Sequence, residues 1–319
     1  MISHRFDFYV DEHFKTRKWT LAFIGIQSKN GENGTKEMEI VNFGHKALPI
    51  PQIQMPRKVI GFQWINISFI DQNAIAFLRH FRPLFTACPI NLTIITHNAR
   101  TLEFILPNIW PLFGKNIHGM DLSATFFRHL RKFAPSILND CPSLRFVNAY
   151  YYGFFTGFPA DDSAAASDGQ ALAKWLFTPL QSNVPKMLEC GLDMGDGNWS
   201  SNIEQFKAAF ANASSPVNFI VVMCFIPTSF ADSVVPFDLT NELTREQLAL
   251  KGTNFNNCFL LIRSPIARDA NKWAEWEKEA IGWKFIDQCN KIEIQIYDEE
   301  QIGDGLLDAN PGPSDQQQK

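Results

Sequence analysis

The chain has 319 residues, 45% hydrophobic and 19% charged, with a net charge of −4 and a pI near 6.0. That balance allows one large domain or two smaller ones around a core of useful size, and it offers no basic field to nucleic acid or acidic membranes. No segment approaches the roughly 20 apolar residues of a membrane span, and the opening MISHRFDF has no apolar signal-peptide core, so a cytoplasmic or nuclear protein is expected.

Residues 3–14 place Phe6, Tyr9, Val10 and Phe14 at helical spacing behind a candidate N-cap, Ser3. Trp19–Gln27 and Glu37–Phe43 read as strands joined by the turn Gly31–Gly34, which makes a hairpin. Pro49, Pro51 and Pro56 then mark an extended linker.

From residue 58 a strand–helix unit recurs. One helix ends in RPLF at residues 82–85, and WPLF echoes it 28 positions later at 110–113. Strand residues Ile65, Leu92, Met120 and Leu144 follow one another at intervals of 27, 28 and 24, with helices predicted over 73–86, 99–113 and 124–139. A unit this short cannot bury its own apolar face and must stack on its neighbours. The pattern predicts a leucine-rich-repeat-like, right-handed βα arc with a parallel sheet. Alternation turns Leu92, Ile94, Leu144 and Phe146 towards the helices. Thr93, Ile95, His97, Arg145 and Val147 then face a concave side.

An irregular insertion occupies 150–169 and ends in a helix start, with Ser167 or Asp168 capping 170–177. Another unit runs through 186–192, a helix over 202–213 and a strand over 217–225. The segment Asp193–Glu204 has the ends of a calcium loop. Gly195 and Gly197 occupy ligand positions and Asn198 the glycine position, so a plain strand-to-helix turn is expected.

Beyond Pro236 the pattern shifts to antiparallel strands near 237–239, 247–251 and 257–263. A helix over 268–283 carries Trp273, Trp276, Ala280 and Trp283 on one stripe, which reads as a face packed on a sheet. Ile292, Ile294 and Ile296 alternate with polar residues in a half-buried strand, and the tail after 303 has a disordered composition. The expected division is thus a cap (1–57), a repeat arc (58–216), a smaller mixed α+β C-terminal module (217–302) and a tail (303–319).

No phosphate-binding glycine loop, nucleophile elbow or zinc-protease helix occurs, and no metal or cofactor is expected. The six cysteines have no C-x-x-C pair and read as reduced thiols. Without catalytic spacing, the candidate residues are those on the concave side that could contact a protein: Gln63, Thr93, His97, Asp121 and Arg145. The competing expectation is an α/β enzyme with its site at strand ends near His97, His118 and Asp121, recognisable by a deep pocket with perturbed titration.

Several segments together resemble a large family of nematode proteins, expanded in plant-parasitic cyst nematodes, in which an F-box-like N-terminus precedes a long βα region. They are RFDFYVDEHF (5–14), LPIP (48–51), VIGF (59–62), PADDS (159–163), QALAKWL (170–176) and NASSPVNFI (212–220). VPF (235–237), NELT (241–244), LIRSPI (261–266), KWAEWEKEA (272–280) and IGDGLLDAN (302–310) complete the set. The resemblance implies a non-enzymatic target-recognition role in a ubiquitin-ligase adaptor lineage. Its F-box would dock the Skp1 subunit. No leucine- and proline-rich F-box precedes Arg5 in this sequence, which argues against Skp1 as a partner and leaves a target protein as the expected one.

Overall fold

The computed structural model describes residues 18–31, 36–42, 47–48, 58–96, 98–149, 156–193, 199–226, 234–254, 257–303 and 306–307. The predicted helix at 3–14, the proline linker and all but the first residue of the expected turn at 31–34 lie outside them, as does the centre of the calcium-loop look-alike. The fold is α/β, on mostly parallel, partly mixed open sheet structure. It forms two compact units, residues 1–116 with 288–319, and residues 117–287. The expected boundaries at 57/58 and 216/217 fall inside these two units.

The first unit contains strands β1 (Trp19–Asn30), β2 (Lys36–Val41), β3 (Ala47–Leu48), β4 (Val59–Ile67), β5 (Ile90–Thr96) and β13 (Lys291–Ile296). The hairpin forms as expected, with Gln27 opposite Glu39. The repeat arc does not. Strand β13 lies between β4 and β5, parallel to both, pairing Ile292 with Ile65 on one side and with Leu92 on the other. Ile65 and Leu92 are thus not on neighbouring strands. Along β5, six of the seven residues are buried, so both faces are covered. Buried parallel strands read as near-continuous apolar runs, and LTII at residues 92–95 fits that account better than an open concave side.

Helices α1 (Gln72–His80) and α2 (Arg82–Ala87) replace one predicted helix. Asp71 caps α1 by accepting from the Ala74 N–H at 2.7 Å, and Pro83 sits in the first turn of α2, where its missing N–H costs nothing. Helix α3 (Ala99–Asn108) ends before a short 3₁₀ turn at Trp110–Leu112. Part of the expected tail is ordered into this unit. Gly303 N–H donates to the Ile70 carbonyl, and Leu306 is buried in a cleft with Phe104 of α3.

The second unit orders its strands as β10 (Phe237–Asn241), β11 (Glu246–Gly252), β12 (Cys258–Pro265), β9 (Phe219–Ile226), β8 (Lys186–Asp193), β7 (Phe146–Ala149) and β6 (Ile117–Asp121). The four strands β6 to β9 are parallel and the rest antiparallel. Met120 lies on β6. Leu144 precedes β7, in a turn closed by its N–H on the Cys141 carbonyl.

Helices cover both faces of this sheet. On one, α5 (Asp168–Leu176, with the Ser167–Gln170 capping box) and α6 (Trp199–Ala211) contribute buried Trp175, Phe206 and Phe210. Phe219 of β9 meets Phe206 edge-on at 5.6 Å there. The guanidinium of Arg263, fully buried, bonds Glu246 at 2.6 Å and lies over the Phe177 and Phe210 rings. Helix α4 (Ala124–Phe133) adds Arg131, which donates to the carbonyls of Ser163 and Ala166 and pins the irregular insertion. On the opposite face α7 (Ala270–Gly282) lays Trp273 and Ala280, with Trp283 just beyond its end, on Phe146, Met187, Ile220, Val222, Leu260 and Ile262. The tryptophan stripe packs as expected.

The cysteine expectation needs one correction. Cys224 and Cys258 face each other across β9 and β12 and form a disulfide, while Cys88, Cys141, Cys190 and Cys289 are free. Sequence separation of 34 hid a pair that antiparallel register places directly opposite.

Candidate functional site

The α7 face of the second unit changes character along its strands. Its first half is apolar, from Phe146, Met187 and Ile220, and the helix covers it. One step further along the parallel strands, a single register row reads Asp121 on β6, Asn148 on β7, Glu189 on β8 and Val222 on β9. Side chains in register on neighbouring strands share a face and stand about 4.8 Å apart, so three polar groups line up beside one another. The chain leaves α7 at Trp283 in an extended conformation and turns through the 3₁₀ segment Phe285–Asp287, and the polar members of the row, Asp121, Asn148 and Glu189, open onto the space beside it.

What remains is a cavity of about 570 Å³. Its polar side is Asp121, Asn148, Glu189, Thr253 and Lys284, and its apolar side is Val222, Ile281, Phe285, Ile286 and the Cys224–Cys258 disulfide. That size and this mixture suit a small molecule.

Glu189 is the chemically distinctive group. Burial pushes its carboxyl up to about 7, the neighbouring Asp121 carboxylate pushes the same way, and Lys284 pulls against both. A carboxyl near 7 gives and takes protons at neutral pH. Among the described residues no group of three or more His, Cys, Asp or Glu side chains has the arrangement to hold a metal ion.

The residues expected to bind a partner fall in both units. Gln63 is exposed on β4 and Thr93 is buried on β5, both in the first unit. His97 lies outside the described residues. Asp121 is in the cavity. Arg145 is spent on structure: its two terminal nitrogens hold Glu279 of α7 at 3.0 and 2.7 Å, its Nε donates to the Pro185 carbonyl, and the guanidinium covers the Phe146 ring. His118, at the other end of β6 from Asp121, packs its ring 5.3 Å from Phe146. Burial, then Arg145, lowers its pKa, against smaller opposing effects of Glu279 and the Ser143 backbone.

Sequence reasoning missed Asn148, Glu189, Lys284 and the disulfide. The signal for Glu189 was present: one carboxylate inside the apolar run MLECGL of a predicted strand. A charge there needs either a partner or a cavity.

Comparison of the chain with protein families, with curated proteins and with solved structures finds no match. Among the described residues, no helix is long and apolar enough to cross a membrane.

Proposed function

We propose that the cavity of the second unit is the working site of the protein and takes a small molecule, with Glu189 as the group that exchanges a proton with it. One observation carries this reading: an acid with its pKa near 7 stands mid-strand under an open cavity, beside a second carboxylate. In this scheme Glu189 is the general acid or base, its proton affinity raised by burial and further by Asp121. Asn148 offers a donor and an acceptor for orientation. The ligand has a hydrogen-bonding or cationic end for the Asp121–Asn148–Glu189 row and an apolar body for Val222, Ile281 and Phe285.

A thermal-shift screen of small amines, amino alcohols and polar aromatic compounds tests it. Compounds that raise the melting temperature of the wild type should lose that effect in Glu189→Gln and in Asp121→Asn. Equal shifts in all three proteins, or no shift with any compound, would remove the site.

A second reading, recognition of a target protein in a ubiquitin-ligase adaptor lineage within the cytoplasm or nucleus, is supported by the sequence resemblance. The surface that favours it is β10, at the end of the strand order, with Val235 and Leu243 on either side 78% and 75% exposed. Unpaired edges and isolated apolar side chains are a route to strand addition by another chain.

A further inference from the structure

The wall of the cavity contains a group that the acid–base reading leaves unused. Cys224 and Cys258 are opposite residues of the antiparallel pair β9–β12, with Cα atoms 4.1 Å apart. The Phe225 N–H bonds the Asn257 carbonyl, so the next pair along, Cys224 and Cys258, is of the closer, non-hydrogen-bonded kind. Both line the cavity. Their exposure differs: Cys224 is 4% exposed, while Cys258 is half-buried.

The row of strands also sets what stands beside Cys224. Its register partner on β8 is Gly191, which has no side chain. The next residue on the same face of β8 is Glu189, a diagonal neighbour within reach of a long side chain. None of the four free cysteines lines the cavity: Cys88 and Cys141 are buried elsewhere, Cys190 points to the opposite face, where its Sγ donates to the Val222 carbonyl, and Cys289 is exposed in the first unit.

We infer that the Cys224–Cys258 disulfide is a thiol–disulfide exchange centre, opened by a low-molecular-weight thiol that enters the cavity, with Glu189 as the proton donor to the leaving sulfur. The inference rests on the cavity's being open to small molecules, as the proposed function requires. The thiolate of the small thiol attacks Sγ of Cys258, the more exposed residue of the pair, and forms a new S–S bond to it. The Cys224–Cys258 bond breaks, and its electron pair goes to Sγ of Cys224. A buried thiolate there is costly, and Glu189 supplies the proton that makes it a thiol. Glu189 is left as a carboxylate and is reprotonated from solvent. The small thiol is oxidised into the mixed disulfide, and Cys224 is the reduced half of the protein pair. Glu189 lines the cavity, and its carboxyl, pushed up to about 7 by burial and by Asp121, carries a transferable proton near neutrality.

The experiment uses the full chain with Cys289→Ser, which removes the exposed thiol, and reduced glutathione as the probe. Mixed-disulfide formation is followed by intact mass and located by peptide mapping between pH 5.5 and 8.5. The expected adduct is on Cys258. Glu189→Gln is expected to slow it at pH 6.5 by about tenfold or more, within the range of general-acid effects. Once the fraction of glutathione thiolate is divided out, the wild-type rate should fall as pH rises through the Glu189 titration, and Glu189→Gln should lack that inflection. Asp121→Asn keeps the acid and its burial but removes a charge that helps to hold its proton, so its inflection should move to lower pH. An adduct on Cys224, no adduct at all, or identical pH profiles in wild type and both variants would overturn the inference. Exchange that persists when no compound of the thermal-shift screen binds would sink the proposed function alone. Compounds that bind without exchange would sink this one alone.

Discussion

Glu189 illustrates how one residue couples a site to the stability of its domain. Its carboxyl titrates near 7 in the folded chain against an ordinary 4.5. Between those values the folded state holds a proton that the unfolded chain has lost. Stability therefore falls as pH rises from about 4.5, and the loss is complete above about 7. The full shift would correspond to about 3 kcal/mol, but Glu189 is only part-buried, and solvent screening brings the expected loss to about 1–2 kcal/mol. Glu189→Gln has no proton to lose. Urea titrations at pH 5 and pH 8.5 should show the wild type losing about 1–2 kcal/mol more than the variant across that interval. Parallel behaviour of the two proteins would mean that Glu189 has an ordinary pKa. It would also leave the cavity without its acid.

At the scale of elements, α7 separates what is structure from what is site. Trp273 is 4% exposed, meets Trp276 edge-on at 5.3 Å and lies under the Arg268 guanidinium, yet it does not line the cavity. Removing such a side chain leaves a void that its neighbours cannot fill, so Trp273→Ala should cost about 3–5 kcal/mol. Chemical denaturation measures that cost, and the Glu189 carboxyl, followed by carbon NMR in the same variant, should keep its titration near 7. A collapse of that titration would show that the helix face and the cavity are one structure. This helix was legible in the sequence because offsets of 0, 3, 7 and 10 name one face whatever the partner. The hairpin and the capped start of α5 were legible for the same reason: turn and cap chemistry are local. The cavity was not local. Asp121, Asn148 and Glu189 meet only because three strands pair in one particular register, and linear spacing carries no trace of it.

At the scale of the molecule, strand order is what sequence reading could not supply. The interval of about 27 residues between Ile65, Leu92 and Met120 does mark successive βα units, but a period says nothing about insertion. Strand β13, about 200 residues after β5, enters between β4 and β5 with Ile292, Ile294 and Ile296 fully buried. The C-terminal segment is thereby a central part of the first unit. Its side-chain ties are equally specific: Asn290 Oδ1 accepts from the Phe62 N–H at 2.9 Å, Asn91 donates to the Cys289 carbonyl, and Glu299 accepts from Asn98 and Arg100. A chain ended after Asp287 leaves β4 and β5 without the strand that each pairs with on one side, and it exposes their backbone groups and apolar rows together. Such a chain should lose the hydrogen-exchange protection of β4, β5 and β1, while amides of β7, β8 and β9, whose ladder lies in the second unit, remain protected. Adding residues 288–303 as a separate peptide should restore protection in β4 and β5, because the missing strand needs only its register to bind. Protection of β4 and β5 that survives the truncation unaided would show that they pair with each other when β13 is absent, as the repeat alone predicts.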